Sequence, residues 1–200
     1  MASEIGHIIR GRRSIRRYTD RPVSREVVET LLSLAIWSPS AHNRQPWRFA
    51  VTEQGERRER LAQAMGEQLR ADLTVDGVSA EAIAADTGRS YARITAAPIV
   101  IIAALSLIDM DHYPDPRRSA AEHLMAVQST AMAVQNILLA AHAEGLGACW
   151  MCAPLFCPEV VRDALALPDD WQPQALITLG YPAVTRASTR HSLETRLLWR

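Results

Sequence analysis

The sequence predicts an α+β, or mixed α/β, domain. Three or four short apolar segments that read as strands alternate with helical segments of unequal length, which is typical of a sheet covered by helices. The chain has 200 residues, 48% of them apolar and 22% charged, so a single core of ordinary composition accounts for its size. We therefore expect one domain over residues 1–200, with a polar C-terminal extension from about residue 184.

Apolar residues recur at helical or alternating spacing through the first half of the chain. The clearest helix follows Ser24, a suitable N-cap, and Pro39 favours its termination. The predicted elements are helices over 4–10, 24–37, 57–73 and 80–95 and a strand over 47–52.

The second half contains a buried strand and one long helix. Pro98 precedes the run IVIIAAL, whose β-branched residues predict a buried strand. Residues 117–144 form a predicted helix of about 40 Å at 1.5 Å per residue, apolar around most of its circumference. Such a helix needs cover on several sides, and a subunit interface is expected to supply part of it. Gly145 follows as a C-cap, and further elements are strands over 148–151 and 174–179 and a helix over 158–167.

All 22 basic residues are arginine, and they balance 22 acidic residues. The absence of lysine excludes a Walker phosphate loop, a lysine Schiff base and the kinase strand lysine. A net charge of zero argues against a nucleic-acid-binding protein. Any phosphate group must therefore be held by guanidinium groups.

Membrane and secretion signals are not apparent. The apolar run Ile99–Ile108 has ten residues, against roughly 20 needed to span a bilayer, and Ala131–Ala143 is interrupted by polar side chains. The N-terminal apolar stretch is too short for a signal peptide, and three cysteines make no disulfide framework. We expect a soluble, cytoplasmic protein with no membrane partner.

Six arginines lie within the twelve residues from Arg10 to Arg21. A solvated basic surface is one interpretation of this run. The other is an anion site, in which Arg12, Arg13, Ser14 and Arg16 converge on a phosphomonoester. Both interpretations stay open on the residues alone.

A second polar cluster spans Ser38–Phe49, the sequence SPSAHNRQPWRF, in the loop between the second helix and the first strand. Its amide side chains, on Asn43 and Gln45, offer both donors and acceptors, which suits the edge of a flat heterocycle. A turn held by its own side chains has similar composition. His42 either protonates a substrate or braces the loop.

Together these segments resemble the flavin-dependent nitroreductase family. The resemblance rests on RRSIR at 12–16, PSAHNRQPW at 39–47, GLGACWM at 145–151 and RHSLE at 190–194, which occur in the family's order. It implies that Arg12, Arg13, Ser14, Arg16 and Arg190 hold FMN. The resemblance implies further flavin contacts from the loop, by Pro39, Ser40, Asn43 and Gln45. It implies others from the end of the third strand, by Met151, Cys152 and Ala153. His42 is the implied substrate contact.

The same resemblance implies a mainly antiparallel central sheet flanked by helices and an intertwined homodimer, with the long helix at the interface. Loop 39–47 would reach the flavin of the partner, and the extension at 184–200 would reach the partner subunit. The activity implied is FMN-dependent, ping-pong hydride transfer from NAD(P)H to a nitroaromatic, quinone or related conjugated acceptor. No side-chain catalytic acid is then obligatory, and Arg16 is our candidate to stabilise the negative charge of the reduced ring.

Within the family, the sequences of the arginine run and the polar loop are most similar to those of the C-terminal domain of the actinobacterial enzyme that matures the deazaflavin coenzyme. Reduction of a dehydro-deazaflavin precursor is therefore an alternative function. Two departures matter. Ser188 stands where the family often has lysine, and Pro154 has no N–H to offer the flavin, which leaves Ala153 or Leu155 as donor. The second departure motivates another alternative, a non-catalytic flavin-binding or storage protein.

Two other motifs allow a metal or redox interpretation. The pair Cys149 and Cys152, with Cys157 beyond, can form a redox dithiol or a metal site, but we expect three buried, packed cysteines. Asp109–His112 with Asp115 can bind a metal, although we favour an acidic solvent loop.

Overall fold

The computed structural model describes residues 3–185 and 187–200; Met1, Ala2 and Arg186, the last within the predicted extension, lie outside the described residues. The elements occur in the order predicted. Helices are α1 (Glu4–Gly11), α2 (Arg25–Ala35), α3 (Glu56–Val75), α4 (Ala80–Thr95), α5 (Pro116–Ala143) and α6 (Pro158–Leu165). Strands are β1 (Trp47–Thr52), β2 (Ile99–Leu105), β3 (Gly147–Met151) and β4 (Gln172–Gly180). Short 3-10 turns lie at Ala41–Asn43, Ala153–Phe156 and Leu193–Arg196.

The four strands form one antiparallel sheet in the order β1-β2-β4-β3. All seven residues of β2 are buried, as its continuous apolar run predicts. β1 and β3 are therefore the two edges of the sheet. The α+β class with a central antiparallel sheet is confirmed.

Alternate side chains of β2 enter two separate cores. Ile99, Ile101 and Ala103 pack with residues of α2 and α5, whereas Val100 and Ile102 pack with residues of α3, α4 and α6. The sheet is thus a central layer with α2 and α5 on one face and α3, α4 and α6 on the opposite face, while α1 contacts α5.

The cap signals in the sequence act as predicted. The side chain of Ser24 accepts a hydrogen bond from the Val27 N–H at the start of α2. At the end of α5, Gly145 takes a left-handed conformation with φ +74°, and the N–H of Leu146 donates to Ala141 O at 2.7 Å. This is a Schellman C-cap, and it directs the chain into β3.

Helix α5 packs along the sheet but is covered on only part of its circumference. Ala133, Ile137 and Ala141 are fully buried, whereas Leu124 and Met132 are exposed. Within the described residues, α5 is also the one helix long and apolar enough to cross a membrane, by length and composition only. Its buried stripe packs in the core of the domain, and its open stripe leaves an apolar surface available to another protein surface.

Candidate functional site

Residues 12–18, here called the arginine segment, run along the β3 edge of the sheet. The Ile15 N–H donates to Ala148 O at 3.0 Å, and Ser14 forms a parallel bridge with Ala148. The Ile15 side chain is buried. Because the segment is anchored at Ile15, the arginines on either side of it have a fixed backbone.

Glycine at position 147 makes this close approach possible. A Cβ atom at Gly147 would lie 2.7 Å from the Cβ of Ile15, which is closer than real Cβ contacts. Gly147 therefore lets the arginine segment lie directly on β3, a role distinct from the C-cap at Gly145.

Tyr18 fixes the other end of the arginine segment. Its hydroxyl donates to Ile15 O at 2.6 Å and lies 2.7 Å from the hydroxyl of Thr178 on β4. Burial raises the pKa of Tyr18 above its ordinary value, despite the opposing effect of the Thr178 hydrogen bond. The Tyr18 hydroxyl thus stays protonated and keeps its donor role.

A cavity of about 890 Å³ opens beside the arginine segment. Its lining comes from that segment, from α4 and from the C-terminal extension. Seven of the lining residues are arginines: Arg12, Arg13, Arg16, Arg17, Arg89, Arg93 and Arg190. Within the described lining there is no carboxylate, so the cavity is strongly electropositive although the whole chain is neutral.

Several of these guanidinium groups are available to an anion. Among residues 3–185 and 187–200, no carboxylate forms a salt bridge with Arg12, Arg16 or Arg93. Arg190 donates a hydrogen bond to the Oγ atom of Ser188 at 2.7 Å. Ser188 is the residue that stands where the family often has lysine. Burial raises the pKa of the neighbouring Cys149 thiol, and Arg16, Arg93 and Arg12 oppose that shift, in agreement with a local positive field.

Three arginines of the cavity, Arg17, Arg89 and Arg93, were not among the candidate site residues of the sequence analysis. Arg89 and Arg93 are four residues apart on α4 and therefore share one face of that helix. The i, i+4 spacing is visible in the sequence, but which way that face points depends on how α4 packs against α3 and the sheet.

The polar loop at 38–46 lies outside this cavity, before the edge strand β1. Asn136 of α5 donates to Ser38 Oγ at 2.7 Å, and the Ala41 N–H donates to Ser129 Oγ at 3.3 Å. The Gln45 N–H donates to Ser40 Oγ at 3.0 Å. These bonds attach the loop to α5 and to itself.

The same bonds hold the loop in an unusual backbone conformation. His42, Asn43 and Gln45 have φ values of 49°, 56° and 50°, in the left-handed region that few side chains adopt. All three side chains are exposed, as is Pro39. The loop therefore presents His42 and both amides outward, and the Gln45 amide donates to Asn43 Oδ1 at 3.4 Å.

The arginine segment and the loop lie at opposite corners of the sheet. The segment joins β3 at Ala148, which pairs with Leu179, whereas the loop enters β1 at Trp47, level with Leu105 and Gln172. Three strand spacings separate the edges, roughly 14 Å, and seven residues of β4 add roughly 24 Å along the strand. One chain thus does not bring the two motifs together.

The segment Met151–Ala153 ends β3 and does not line the cavity. The Leu155 N–H donates to Cys152 O at 3.0 Å and is therefore occupied. Pro154 has no N–H, and the Ala153 N–H has no acceptor among the described residues. Of the two donors considered from sequence, Ala153 is the one still available.

The expectation of three buried cysteines was wrong for Cys152, which is exposed, although Cys149 and Cys157 are buried. Its Sγ accepts a hydrogen bond from Trp150 Nε1 at 3.1 Å. Cys152 lies just past the end of β3, where the chain leaves the sheet, so its side chain loses the cover that Cys149 has.

The acidic segment at 109–112 forms one ion pair with the polar loop and one with β1. Asp109 pairs with Arg48 at 3.0 Å, and Asp111 pairs with Arg44. Met110 between them is buried. The segment is thus partly packed against the β1 end of the sheet rather than a purely solvated loop.

A model of the Nitroreductase family matches residues 9–181. The chain belongs to that family. The match takes in the arginine segment, the polar loop and all four strands. It ends before the extension, so Arg190 lies beyond it.

Curated relatives and a solved structure agree with the membership. A protein of Archaeoglobus fulgidus, provisionally named an NADH dehydrogenase/NAD(P)H nitroreductase, is 31% identical over 175 residues, covering 86% of this chain and 81% of that protein. The 5,6-dimethylbenzimidazole synthase of Rhodospirillum rubrum is 29% identical over 175 residues, covering 86% of this chain and 78% of the relative. A provisionally assigned nitroreductase of Desulfovibrio desulfuricans, solved with FMN, has 30% identity and a TM-score of 0.77, covering 100% of this chain and 98% of that one.

Proposed function

We propose that the protein is an FMN-dependent oxidoreductase that uses NAD(P)H. The observation that carries the proposal is the cavity of about 890 Å³ beside β3, which seven arginines line, in a chain of the Nitroreductase family. Guanidinium groups bind phosphate through two parallel N–H···O bonds, a geometry that suits the phosphate of FMN.

The cavity fits a cofactor of this size and charge. Ligand pockets occupy roughly 300–1,000 Å³, and this cavity has about 890 Å³. Arg12 and Arg190 would hold the phosphate end, with Arg13 and Ser14 beside them, and Arg16 would lie toward the ring. Arg93 adds positive charge from α4, where Arg89 is already paired with Asp86. Met151, Cys152 and Ala153 would meet the ring where β3 ends.

When bound, FMN accepts hydride from NAD(P)H and passes it to a nitroaromatic, quinone or related conjugated acceptor. The chain contributes orientation and charge to this chemistry. Arg16 would stabilise negative charge on the ring, and the unoccupied Ala153 N–H would donate a hydrogen bond to it. Use of NAD(P)H, together with three unpaired cysteines, fits a cytoplasmic location.

A homodimer would complete the site. The loop at one corner of the sheet cannot reach the cavity of its own chain, so we propose that Pro39, Ser40, Asn43 and Gln45 contact the flavin of a partner subunit. The open apolar stripe of α5 would form the interface. The exposed Leu197, Leu198 and Trp199 of the extension would pack on the partner. His42, also in the loop, would face the acceptor.

The direct test is to purify the protein and mix it anaerobically with NADPH or NADH in a stopped-flow spectrometer. We expect a yellow protein that releases FMN on denaturation and whose flavin absorbance is bleached by one of the nucleotides. An acceptor such as a nitroaromatic should restore the colour. Bound flavin that neither nucleotide bleaches would support a storage role and contradict an oxidoreductase.

The acceptor can be determined in the same apparatus. Protein reduced with one equivalent of NAD(P)H is mixed with a nitroaromatic, a quinone or a dehydro-deazaflavin. We expect the fastest reoxidation with a nitroaromatic or quinone. Reoxidation by the dehydro-deazaflavin alone would favour the precursor-reductase alternative.

A further inference from the structure

Three polar residues of α5, Glu122, Ser129 and Asn136, occur at intervals of seven and therefore lie on one face of the helix. Two of them bind the polar loop: Ser129 accepts from the Ala41 N–H, and Asn136 donates to Ser38 Oγ. Glu122 continues this row toward the N-terminus of α5. The row is the surface on which the loop is seated.

Ser129 and Asn136 each have a hydrogen-bond partner in the loop, whereas one carboxylate oxygen of Glu122 has none in the described part of the chain. Its side chain is buried, with 4% of the residue exposed, and Oε2 has no hydrogen-bond partner within the described part of the chain. An ionised carboxylate in this position is costly unless a cation or a donor meets it. A cation or a donor at the Oε2 atom of Glu122 would remove that cost.

Two further ligand groups converge on the same point. One nitrogen of His42 and one carboxylate oxygen each of Asp111 and Glu122 all lie within 4.8 Å of one another. Ligand atoms around one tetrahedral ion at 2.0–2.2 Å stand about 3.4 Å apart, so small side-chain rotations bring the three together. Arg44 contacts the Oδ1 atom of Asp111, and a carboxylate has a second oxygen to offer.

We propose that His42, Asp111 and Glu122 bind a divalent transition-metal ion such as Zn²⁺. One imidazole and two carboxylates match the ligands that such ions take in proteins, and three protein ligands leave a position for water. The ion neutralises the buried charge of Glu122. It also ties three separate segments together: the polar loop, the segment after β2 and the first turns of α5.

The site goes beyond the proposed flavin chemistry, because its effect is on the loop. With a ring nitrogen on the ion, His42 has the second role considered for it, bracing the loop, in place of contact with the acceptor. His42 sits in a left-handed conformation, and a bond from its ring to the ion would hold that conformation in place. The metal would thus fix the loop on α5 and set the direction in which Asn43 and Gln45 point.

The test is a zinc titration of the purified protein with its flavin, after removal of metal by a chelator and dialysis. Zinc binding is followed by competition with a chromophoric chelator. We expect one high-affinity Zn²⁺ per chain. Glu122→Gln and His42→Gln should each weaken binding by more than the roughly 10–100-fold that loss of an outer-shell partner costs. Since His42 is exposed, its variant is expected to fold normally.

The matched control is Asp109→Asn, which removes a carboxylate from the same segment but outside the cluster. It should keep the wild-type affinity for Zn²⁺. Absence of a stoichiometric Zn²⁺ site, or equal binding by Asp109→Asn, Glu122→Gln and His42→Gln, would overturn the proposal. The readout is zinc and not FMN, so its failure is distinguishable from a failure of the proposed flavin function.

Discussion

At the scale of single residues, charge concentration matters more than net charge. The chain is neutral overall, yet the arginines of the N-terminal segment, α4 and the extension meet in one cavity. A guanidinium stays charged at any physiological pH and binds phosphate through a planar fork. A cavity lined in this way favours a phosphorylated ligand through charge alone.

Arg12→Ala or Arg16→Ala should therefore weaken FMN binding. Each charge-assisted hydrogen bond contributes roughly 1.5–3 kcal/mol, which corresponds to about 10–150-fold in Kd. Quenching of FMN fluorescence on titration of FMN-depleted protein measures this. Arg25→Ala is the control, since Arg25 is exposed on α2 and paired with Glu29. Full FMN affinity in both variants would refute the assignment of the cavity as the FMN site.

The three thiols should react at different rates. In FMN-depleted protein, we expect one fast phase with a disulfide reagent such as DTNB, from the exposed Cys152. Burial raises the pKa of Cys149 and Cys157, so their thiolate fraction is small at neutral pH and rises only as pH increases through the raised pKa. Cys152→Ser should remove the fast phase. A fast phase that persists in this variant would show that the thiol of Cys149 or Cys157 is accessible to the reagent.

At the scale of secondary structure, most elements follow from local pattern. The strand Trp47–Thr52 and the helix Ala80–Thr95 were predicted with their observed bounds, because apolar periodicity and caps are local signals. The order β1-β2-β4-β3 and its registers come from long-range packing, for which the sequence carries no direct signal. The antiparallel arrangement was predicted only through the family resemblance.

Arg58 shows why a helix face can mislead. It lies in α3, which the sequence presents as a surface helix, yet it is buried and donates to the carbonyl oxygens of Thr52, Ala97 and Pro98. Burial lowers the pKa of its guanidinium to about 10. The three carbonyls lie where β1 ends and β2 begins, and only the folded chain brings them to Arg58.

Gly147 sets the distance between the arginine segment and the sheet. Gly147→Ala places a methyl group 2.7 Å from the Ile15 Cβ, so the segment must move away from β3 and its arginines lose their alignment. We expect FMN affinity to fall at least tenfold, measured by the same fluorescence titration.

The matched control for that change is Gly66→Ala in α3, where an added Cβ meets nothing within 4 Å. It should leave FMN binding unchanged and increase the free energy of unfolding by about 0.5–1 kcal/mol, since alanine favours a helix. Equal FMN affinity for Gly147→Ala and wild type would mean that the segment does not need its close contact with β3.

At the scale of the whole molecule, the position of the two motifs supports the proposal that a single chain is an incomplete site. The arginine segment and the polar loop were both identified in the sequence. That one subunit supplies the arginine segment of a site and the other supplies the loop was implied by the resemblance alone. The fold adds a physical reason, since the two motifs occupy opposite corners of one sheet. The open stripe of α5 then has a use that the buried stripe does not.

The most direct test of the account is subunit mixing. Arg12→Ala/Arg16→Ala chains and Asn43→Ala/Gln45→Ala chains carry different tags, are co-expressed, and the doubly tagged heterodimer is isolated. If cavity and loop come from different subunits, one site of the heterodimer is fully wild type and the other carries both defects. We expect one tightly bound FMN per heterodimer, with NAD(P)H-dependent bleaching, and neither in the two parent homodimers. A heterodimer as poor in FMN as both parents would contradict the shared site.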